Sequence, residues 1–445
     1  MQRISFIHAA DLHLGSTINI GGKGPAELEE IFTQAVFKAF ENICDYALEY
    51  SVDFVLLSGD IYDRENRSVL ANHFFNKQCK RLAKKGIPVL LIAGNHDPLN
   101  EDNELINSPD NVYIFSSRQV DSREIYNDKD ELIAQVSGCS YRGKADSRRL
   151  YRDYETIPGI WNIALLHTQL DPDNINYMPC SLEDLLARGD IHYWALGHIH
   201  QARIVSRSIN RAVVYPGIPQ GRDAGEAGIK GALLVELIPD CQPVITFLPT
   251  SKIIYQKKEI SINSIANGNF SDLKRLINNK AKELIKTDNN NINLNCDQVE
   301  PLKELEGIIV DWVLTGRGEL SELIKGQRDE LGSFLLDSLR KEFLSRKPFI
   351  WTRKITDHTG KLLDVALLGN SPIFKEIEGV IAVLKNKQGL KDELLSEFGF
   401  IWTDKSDRED SKAASFQLDD QKLYDIIDYA RGLIIEELLE RRERA

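Results

Sequence analysis

Residues 4–13 read Ile4-Ser5-Phe6-Ile7-His8-Ala9-Ala10-Asp11-Leu12-His13. The apolar run from residue 4 to residue 10 predicts a short buried β-strand. The strand pattern ends at Asp11 and His13, which are separated by a single residue. Both are residue types that bind metal ions, and the same sequence, an apolar strand followed by such residues, recurs several times along the chain.

The region after this first strand alternates between helical and extended patterns. Apolar residues at helical spacing run from residue 25 to residue 50, a strand pattern covers 54–57, a helix is predicted over 68–85, and a third strand covers 89–92. This βαβαβ order predicts a parallel sheet with helices against its faces. Shorter strand patterns between 132 and 247 predict the second half of a two-sheet sandwich.

The pattern changes from about residue 258 onward. A smaller α/β module is predicted, with strands over 260–262 and 308–314 and helices over 272–285 and 330–343. A polar stretch over 404–415 precedes a helix predicted over 421–441, whose apolar face is formed by Leu423, Ile426, Ile427, Ala430, Leu433, Ile434 and Leu438. We therefore predict three parts, residues 1–250, 251–357 and 358–445.

Composition excludes several classes of protein. The 445 residues include 42 % apolar and 27 % charged residues, an ordinary globular mixture. No run approaches the roughly 18–20 apolar residues that a membrane span needs. The N-terminus is not typical of a signal peptide either, so we expect a cytoplasmic protein. The net charge of −12 disfavours non-specific binding to nucleic acid, so any DNA contact must come from local basic surface or from bound metal ions.

Five clusters of metal-binding residue types stand at the ends of predicted strands. Five of the nine histidines belong to them, which packing alone does not explain. Oxygen and imidazole ligands without cysteine indicate manganese, iron, zinc or magnesium, and two such ions can activate a water for attack on a phosphoester. The clusters are Asp11-Leu12-His13, Gly59-Asp60-Ile61-Tyr62-Asp63, Gly94-Asn95-His96-Asp97, His167 and Gly197-His198-Ile199-His200.

This order of motifs resembles the calcineurin-like metallophosphoesterases. The string His8-Ala9-Ala10-Asp11-Leu12-His13-Leu14-Gly15 is similar to the opening of the SbcD-type DNA-repair nucleases. The strings Tyr215-Pro216-Gly217-Ile218-Pro219-Gln220-Gly221-Arg222 and Leu314-Thr315-Gly316-Arg317 are similar to the YhaO-like branch of that group. The resemblance implies an α/β fold, a two-sheet α/β/β/α sandwich over 1–250, followed by a small α/β domain over 251–357 that caps DNA and a helical, partner-docking segment over 358–445.

The resemblance also assigns roles to the clustered residues. It implies that Asp11, His13, Asp60 and His200 hold one divalent metal ion, and that Asp60, Asn95, His167 and His198 hold a second. It implies that His96 faces the scissile phosphate and gives a proton to the leaving oxygen, while Asp97 orients His96. Manganese is the favoured metal.

The function implied is that of a metal-dependent DNA nuclease, an exonuclease or endonuclease in DNA repair that works with an SbcC- or YhaN-like coiled-coil ATPase. Homodimerisation is implied as well, and no membrane contact. Two alternatives stay open: a metallophosphoesterase acting on phosphoproteins or small phosphodiesters, and a non-catalytic scaffold that keeps the fold. The predicted DNA contacts are Arg142, Lys144, Arg148, Arg149 and Arg317.

Overall fold

The structure is a computed structural model. It describes residues 1–22, 24–63, 69–99, 108–265, 269–286, 294–326, 328–360, 372–387, 389–390, 393 and 420–444. The predicted polar stretch 404–415 lies outside these residues. None of the described helices is long and apolar enough to cross a membrane.

The described strands form three sheets. The strands are β1 Ile4–Ala9, β2 Phe54–Ser58, β3 Val89–Ile92, β4 Val112–Ile114, β5 Asp121–Tyr126, β6 Leu132–Gly138, β7 Trp161–His167, β8 Tyr193–Gly197, β9 Arg203–Ser208, β10 Arg211–Tyr215, β11 Gly231–Leu237, β12 Val244–Pro249, β13 Ile253–Ser261, β14 Gln298–Val299, β15 Gly307–Thr315 and β16 Phe349–Asp357. The first sheet has seven strands in the order β14-β12-β11-β1-β2-β3-β4, the second has six in the order β5-β6-β7-β8-β10-β9, and the third has three in the order β13-β15-β16.

The described helices flank these sheets or follow them in the chain. They are α1 Ala26–Glu49, α2 Val69–Ala83, α3 Leu182–Ala187, α4 Phe270–Lys286, α5 Leu320–Gly326, α6 Arg328–Phe343, α7 Pro372–Asn386 and α8 Asp420–Arg444. The predicted helices over 25–50, 68–85, 272–285 and 330–343 agree with α1, α2, α4 and α6 to within three residues at each end.

Alternation along each strand builds the layers of the sandwich. On β1, Ile4 and Phe6 point into a core shared by the two large sheets, while Ile7 and Ala9 pack against α1 and α2. A further apolar cluster covers the other face of the second sheet and includes Leu185 of α3. The order of layers is therefore helix, sheet, sheet, helix, as predicted.

One part of the predicted topology is wrong. The strand patterns near residues 232–237 and 244–247 were assigned to the second sheet, but β11 pairs antiparallel with β1 and β12 pairs antiparallel with β11. The first sheet is therefore mixed: β1 to β4 are parallel, and the returning chain covers the free edge of β1. An apolar strand pattern does not specify its neighbour, because pairing depends on which edge is open.

The chain divides into two compact units. The first contains residues 1–257, 283–311 and 339–354, and the second contains 258–282, 312–338 and 355–445. Within the first unit, Ile253, Ile309 and Trp351 share a core cluster with Ile20 and Phe32. The boundaries predicted at residues 250 and 357 stay predictions.

Within the second unit, α8 packs against α7. Leu423 and Ile427 form a small core with Ile381 and Leu390. The predicted apolar face is wrong in part: Ile426, Leu433 and Ile434 are about half exposed, and Ile435, which was not predicted, is buried. The buried residues Leu423, Ile427 and Ile435 are separated by four and by eight residues, so they lie on one narrow stripe of α8.

Candidate metal centre

The predicted metal-binding residues converge at the carboxyl ends of parallel strands in the two large sheets. Strands β1, β2 and β3 run parallel, so the turns that follow them meet at one edge, and β7 and β8 end at the facing edge. Asp11, His13, Asp60 and His167 are completely or almost completely buried there. Asn95, His198 and His200 are partly exposed and open the site to solvent.

Several of these residues have a backbone conformation that side chains other than glycine rarely adopt. The φ angles are +54° at Asp11, +45° at His13, +51° at Asp60 and +92° at His198. Positive φ at such residues costs free energy and is concentrated at functional sites. The sharp turns direct these side chains to a common point, which an ordinary continuation of each strand would not do.

Two glycines permit the close approach of the two sheets. A Cβ atom at Gly197 would lie 1.8 Å from the carbonyl oxygen of Ser58, and one at Gly59 would lie 2.3 Å from His167 Nδ1. Gly59 also has a φ of +97°. Any larger side chain at either position would displace His167, so the glycines are required by the site itself.

One group of candidate ligands consists of Asp11, His13 and His200, whose nearest ligand atoms all lie within 4.8 Å of one another. The Nε2 atoms of His13 and His200 are 3.3 Å apart. His13 Nε2 is also 3.9 Å from Asp60 Oδ2. His13 Nδ1 is buried and has no hydrogen-bond partner among the described residues.

The second group surrounds His167. Its Nε2 atom lies 3.3 Å from Asp60 Oδ2 and 3.0 Å from Asn95 Oδ1. His198 Nδ1 lies 3.2 Å from the same Asn95 oxygen, and the His198 amide donates to both oxygens of Asp11. Asp60 Oδ2 thus lies within 4 Å of a histidine nitrogen from each group, and its role as a shared ligand stays a prediction.

Neighbouring oxygens hold the Nδ1 atom of two of the histidines. His200 Nδ1 lies 2.6 Å from Glu226 Oε1, and His167 Nδ1 lies 2.8 Å from the carbonyl oxygen of Ser58. A carboxylate or carbonyl oxygen only accepts hydrogen bonds, so the hydrogen of each neutral imidazole sits on Nδ1. The Nε2 lone pairs then point into the site, and such outer contacts are typical of histidines that bind metals.

The electrostatics of the site favour a bound cation. Burial raises the pKa of Asp11 to about 7, with a further contribution from the charge of Asp60. Burial opposes protonation of His167, yet the charge of Asp60 raises its pKa to about 9. Two buried carboxylates therefore draw a positive charge to this point, and the surrounding oxygen and imidazole donors, without sulfur, fit a divalent ion such as manganese, iron or zinc.

The structure places His96 beside this cluster and gives Asp97 a different neighbour from the one predicted. The His96 amide donates to Asp60 Oδ1, and its Nδ1 atom is 3.9 Å from Asp63 Oδ1. Both oxygens of Asp97 accept backbone hydrogen bonds, from Gly94 and from Ile61 and Tyr62. The described contacts therefore correct the prediction that Asp97 orients the His96 ring: Asp97 holds the loops that carry Asp60 and Asn95.

Two further residues were not assigned a role in the site by sequence reasoning. Glu226 is buried and contacts His200, and Arg222 lies 3.6 Å from Glu226 and 3.9 Å from Asp63. Both follow β10, beyond the last histidine motif. The string that contains Arg222 resembles the YhaO-like branch but does not indicate a role for the arginine. No spacing rule connects Glu226 to His200.

The predicted DNA contacts differ in exposure and in the hydrogen bonds that their side chains make. All three guanidinium nitrogens of Arg148 donate to the protein itself, to Asp146 and to backbone carbonyl oxygens including that of Ser117, so this residue supports a loop. Arg142 and Arg149 are exposed and each donates to a backbone carbonyl. Lys144 is exposed, and Arg317 belongs to the second unit.

Known proteins resemble this chain. The family model described as calcineurin-like phosphoesterase matches residues 4–202. An uncharacterized metallophosphoesterase, YhaO, of Bacillus subtilis is 30 % identical over 361 residues, which cover 80 % of this chain and 82 % of that protein.

Two archaeal relatives are named DNA double-strand break repair protein Mre11. The one from Methanocaldococcus jannaschii is 28 % identical over 48 % of this chain and 55 % of its own length. The one from Thermoplasma acidophilum is 26 % identical over 49 % of this chain and 57 % of its own length. The chain thus spans little more than half the length of these two proteins.

Proposed function

The chain belongs to the calcineurin-like metallophosphoesterases, and from this premise we propose that it is a metal-dependent nuclease that hydrolyses phosphodiester bonds in DNA. The observation that carries the proposal is the convergence of two carboxylates, one amide and four imidazoles from five strand ends. The family has a two-metal centre, and this donor set suits it.

We assign the ligands in two sets that share one residue. Asp11, His13, Asp60 and His200 would hold one ion, and Asp60, Asn95, His167 and His198 the other. Two divalent ions supply Lewis-acid activation of a water and neutralise charge on the phosphoryl oxygens. We propose manganese, because the ligands are oxygen and imidazole nitrogen without thiolate.

The chain's own residues complete the reaction. His96 is partly exposed, and the nearby Asp63 carboxylate raises its pKa, which favours the protonated ring. We assign His96 as the group that gives this proton to the departing oxygen. Asp97 acts as a positioning residue, because its carboxylate fixes the turns after β2 and β3.

The relatives support DNA as the substrate, since two of them are named for the repair of DNA double-strand breaks. Arg142, Lys144 and Arg149 would contact the phosphate backbone, with Arg317 in the second unit. Arg148 is left out of this set, because its donors are engaged within its own loop. An SbcC- or YhaN-like coiled-coil ATPase and a second copy of the chain are the proposed protein partners.

The test is a cleavage assay on blunt, overhanging and hairpin DNA with manganese or magnesium, with and without the ATPase. Bis-p-nitrophenyl phosphate and a phosphopeptide serve as comparison substrates, and metal content is measured by elemental analysis. We expect manganese-dependent cleavage of DNA and of the diester, and loss of both metals and of activity in Asp60→Ala.

Hydrolysis of the phosphopeptide without cleavage of any DNA would overturn the proposed substrate. Absence of turnover on every substrate with metal bound would favour the non-catalytic scaffold. Normal metal content in Asp60→Ala would contradict its assignment as the shared ligand.

A further inference from the structure

Three hydrogen bonds fix the backbone of Arg222. Its carbonyl oxygen accepts hydrogen bonds from the Asn19 amide and from the Tyr255 hydroxyl, each at 2.7 Å. Its own amide donates to Glu226 Oε2 at 2.6 Å. These three contacts fix the position from which the Arg222 side chain extends.

The preceding residues anchor the same loop. Gln220 is buried; its Oε1 atom accepts from the amides of Lys252 and Ile253, and its Nε2 atom donates to the Gly221 and Ile253 carbonyls. A Cβ atom at Gly221 would lie 2.7 Å from the carbonyl oxygen of Glu226, so only glycine permits the loop to pack this closely. The string Pro216–Arg222 thus forms a rigid support.

The guanidinium group, in contrast, is not satisfied. Its nearest acceptors are Glu226 Oε1, 3.6 Å from Nη2, and Asp63 Oδ2, 3.9 Å from Nη1, and both distances exceed a hydrogen bond. The Nε atom is buried without a partner. Among the described residues, the Arg222 side chain therefore has ion-pair neighbours but no hydrogen-bond acceptor.

The position of this group connects it to the reacting centre. Asp63 also lies near His96, and Glu226 also contacts the candidate ligand His200. The side chain is 17 % exposed, so its terminal nitrogens are still reachable from solvent.

A largely buried guanidinium with unused donors is costly and calls for a ligand that supplies acceptors. The fork of parallel N–H groups on arginine matches two oxygens of a phosphate, as a lysine ammonium does not. We propose that Arg222 is a catalytic residue that binds the non-bridging oxygens of the scissile phosphate. The inference rests on the proposed function, since it names the group that would hold that substrate.

The test compares Arg222→Gln and Arg222→Lys with the unaltered protein, all loaded with manganese. On bis-p-nitrophenyl phosphate we expect kcat to fall about 10²–10³-fold in Arg222→Gln, the loss typical when one donor to a developing oxyanion is removed. Arg222→Lys keeps the charge but not the fork, and should lie between the two. In Arg222→Ala, added guanidinium ions should restore part of the rate, which a purely structural role would not allow.

Binding of inorganic phosphate gives a readout independent of turnover. Phosphate should raise the melting temperature of the unaltered, manganese-loaded protein and raise it less in Arg222→Gln. Arg207→Gln is the matched control, because Arg207 is 18 % exposed and pairs with Asp297 at 2.6 Å, in the same unit but on β9. The control should keep activity, metal content and phosphate binding.

Unchanged phosphate binding in Arg222→Gln would overturn the inference, and so would a loss of activity fully explained by lost metal or lost folding. If the unaltered protein does not hydrolyse any phosphodiester, the proposed function fails on its own. The difference in phosphate binding between the unaltered protein and Arg222→Gln then still decides the role of Arg222.

Discussion

At the scale of single residues, burial and neighbouring groups distinguish the roles of the histidines. His8, three residues before Asp11, is completely buried, and its ring contacts Tyr193 Oη, Ser58 Oγ and the Leu196 carbonyl. It packs beneath the candidate metal site. His96 is partly exposed, lies beside Asp63 and is not one of the proposed metal ligands, so its ring is suited to exchange a proton with a substrate.

The role of His96 can be tested by changing the leaving group. His96→Ala should keep both metals, because its ring is not one of the proposed ligands and its contact with Asp60 is made by the backbone amide, which the substitution keeps. Cleavage of DNA, which expels a poor alkoxide leaving group, should fall about 10²–10⁴-fold. Hydrolysis of bis-p-nitrophenyl phosphate should fall much less, since nitrophenolate leaves without protonation. Equal losses on the two substrates, measured by initial rates, would contradict the assignment.

His8 gives a prediction on stability against pH. Burial lowers its pKa to about 3, whereas in the unfolded chain a histidine titrates near its ordinary value of about 6.5. Below pH 6.5 the unfolded chain therefore takes up a proton that the folded protein does not. The contribution of His8 to stability is complete above pH 6.5 and is lost as pH falls toward 3, by about 1.4 kcal/mol per pH unit.

The measurement is thermal unfolding in EDTA at pH 7 and pH 5, for the unaltered protein and for His8→Gln. Glutamine can keep hydrogen bonds to Ser58 and to the Leu196 carbonyl but does not titrate. The unaltered protein should lose more stability between the two pH values than the variant does. A parallel decline in both proteins would show that His8 does not contribute.

At the scale of secondary-structure elements, the C-terminal helix shows how a neighbour selects one face. Helix α8 has apolar residues on more than one side, and α7 covers only the side that carries Leu423 and Ile427. Ion pairs between Lys385 and Asp428 and between Arg431 and Glu378 flank the contact. Packing within the chain is thus established for this stripe, while docking of an ATPase stays a proposal.

Two adjacent isoleucines of α8 provide a matched pair. Ile427 is 6 % exposed and Ile426 is 46 % exposed. Ile427→Ala should destabilise the second unit by about 2–5 kcal/mol, the cost of deleting a buried isoleucine side chain. Ile426→Ala should change stability by less than about 0.5 kcal/mol. Hydrogen exchange of α7 and α8 amides is the measurement, and equal exchange rates in both variants would contradict the packing.

At the scale of the whole molecule, the first compact unit continues beyond β12, which ends at Pro249. Residues beyond 250, among them Ile253, Tyr255 and Trp351, share a core with Ile18 and Phe32 near the N-terminus. Strand β14 extends the first sheet by pairing with β12. The unit that holds the candidate metal site therefore includes residues 283–311 and 339–354 from later in the chain.

A truncation tests this arrangement and the predicted boundary at residue 250. A chain ending at residue 250 would leave Ile18, Ile20 and Phe32 without their partners, so it should aggregate or melt well below a chain ending at residue 357. Static light scattering and calorimetry measure both outcomes. Equal melting temperatures would support residue 250 as a true domain boundary.

Most of the fold and of the metal site could be predicted from local patterns. Strand and helix positions follow from apolar spacing, and ligands such as Asp11, Asp60 and His167 stand directly at strand ends, where chain connectivity brings parallel strands to one edge. Motif spacing is a local property that can be read in a linear sequence, so it indicates the candidate ligands but not the distances between them.

Other features depend on contacts between residues far apart in the chain. The pairing of β11 with β1, the contact of Glu226 with His200, the unsatisfied guanidinium of Arg222 and the buried face of α8 leave no periodic signal. Each of these features depends on which strand edge, carboxylate or helix face stays accessible once the other elements have packed. That outcome depends on the packing of the folded chain, because burial and free donors are properties of neighbours in space rather than in sequence.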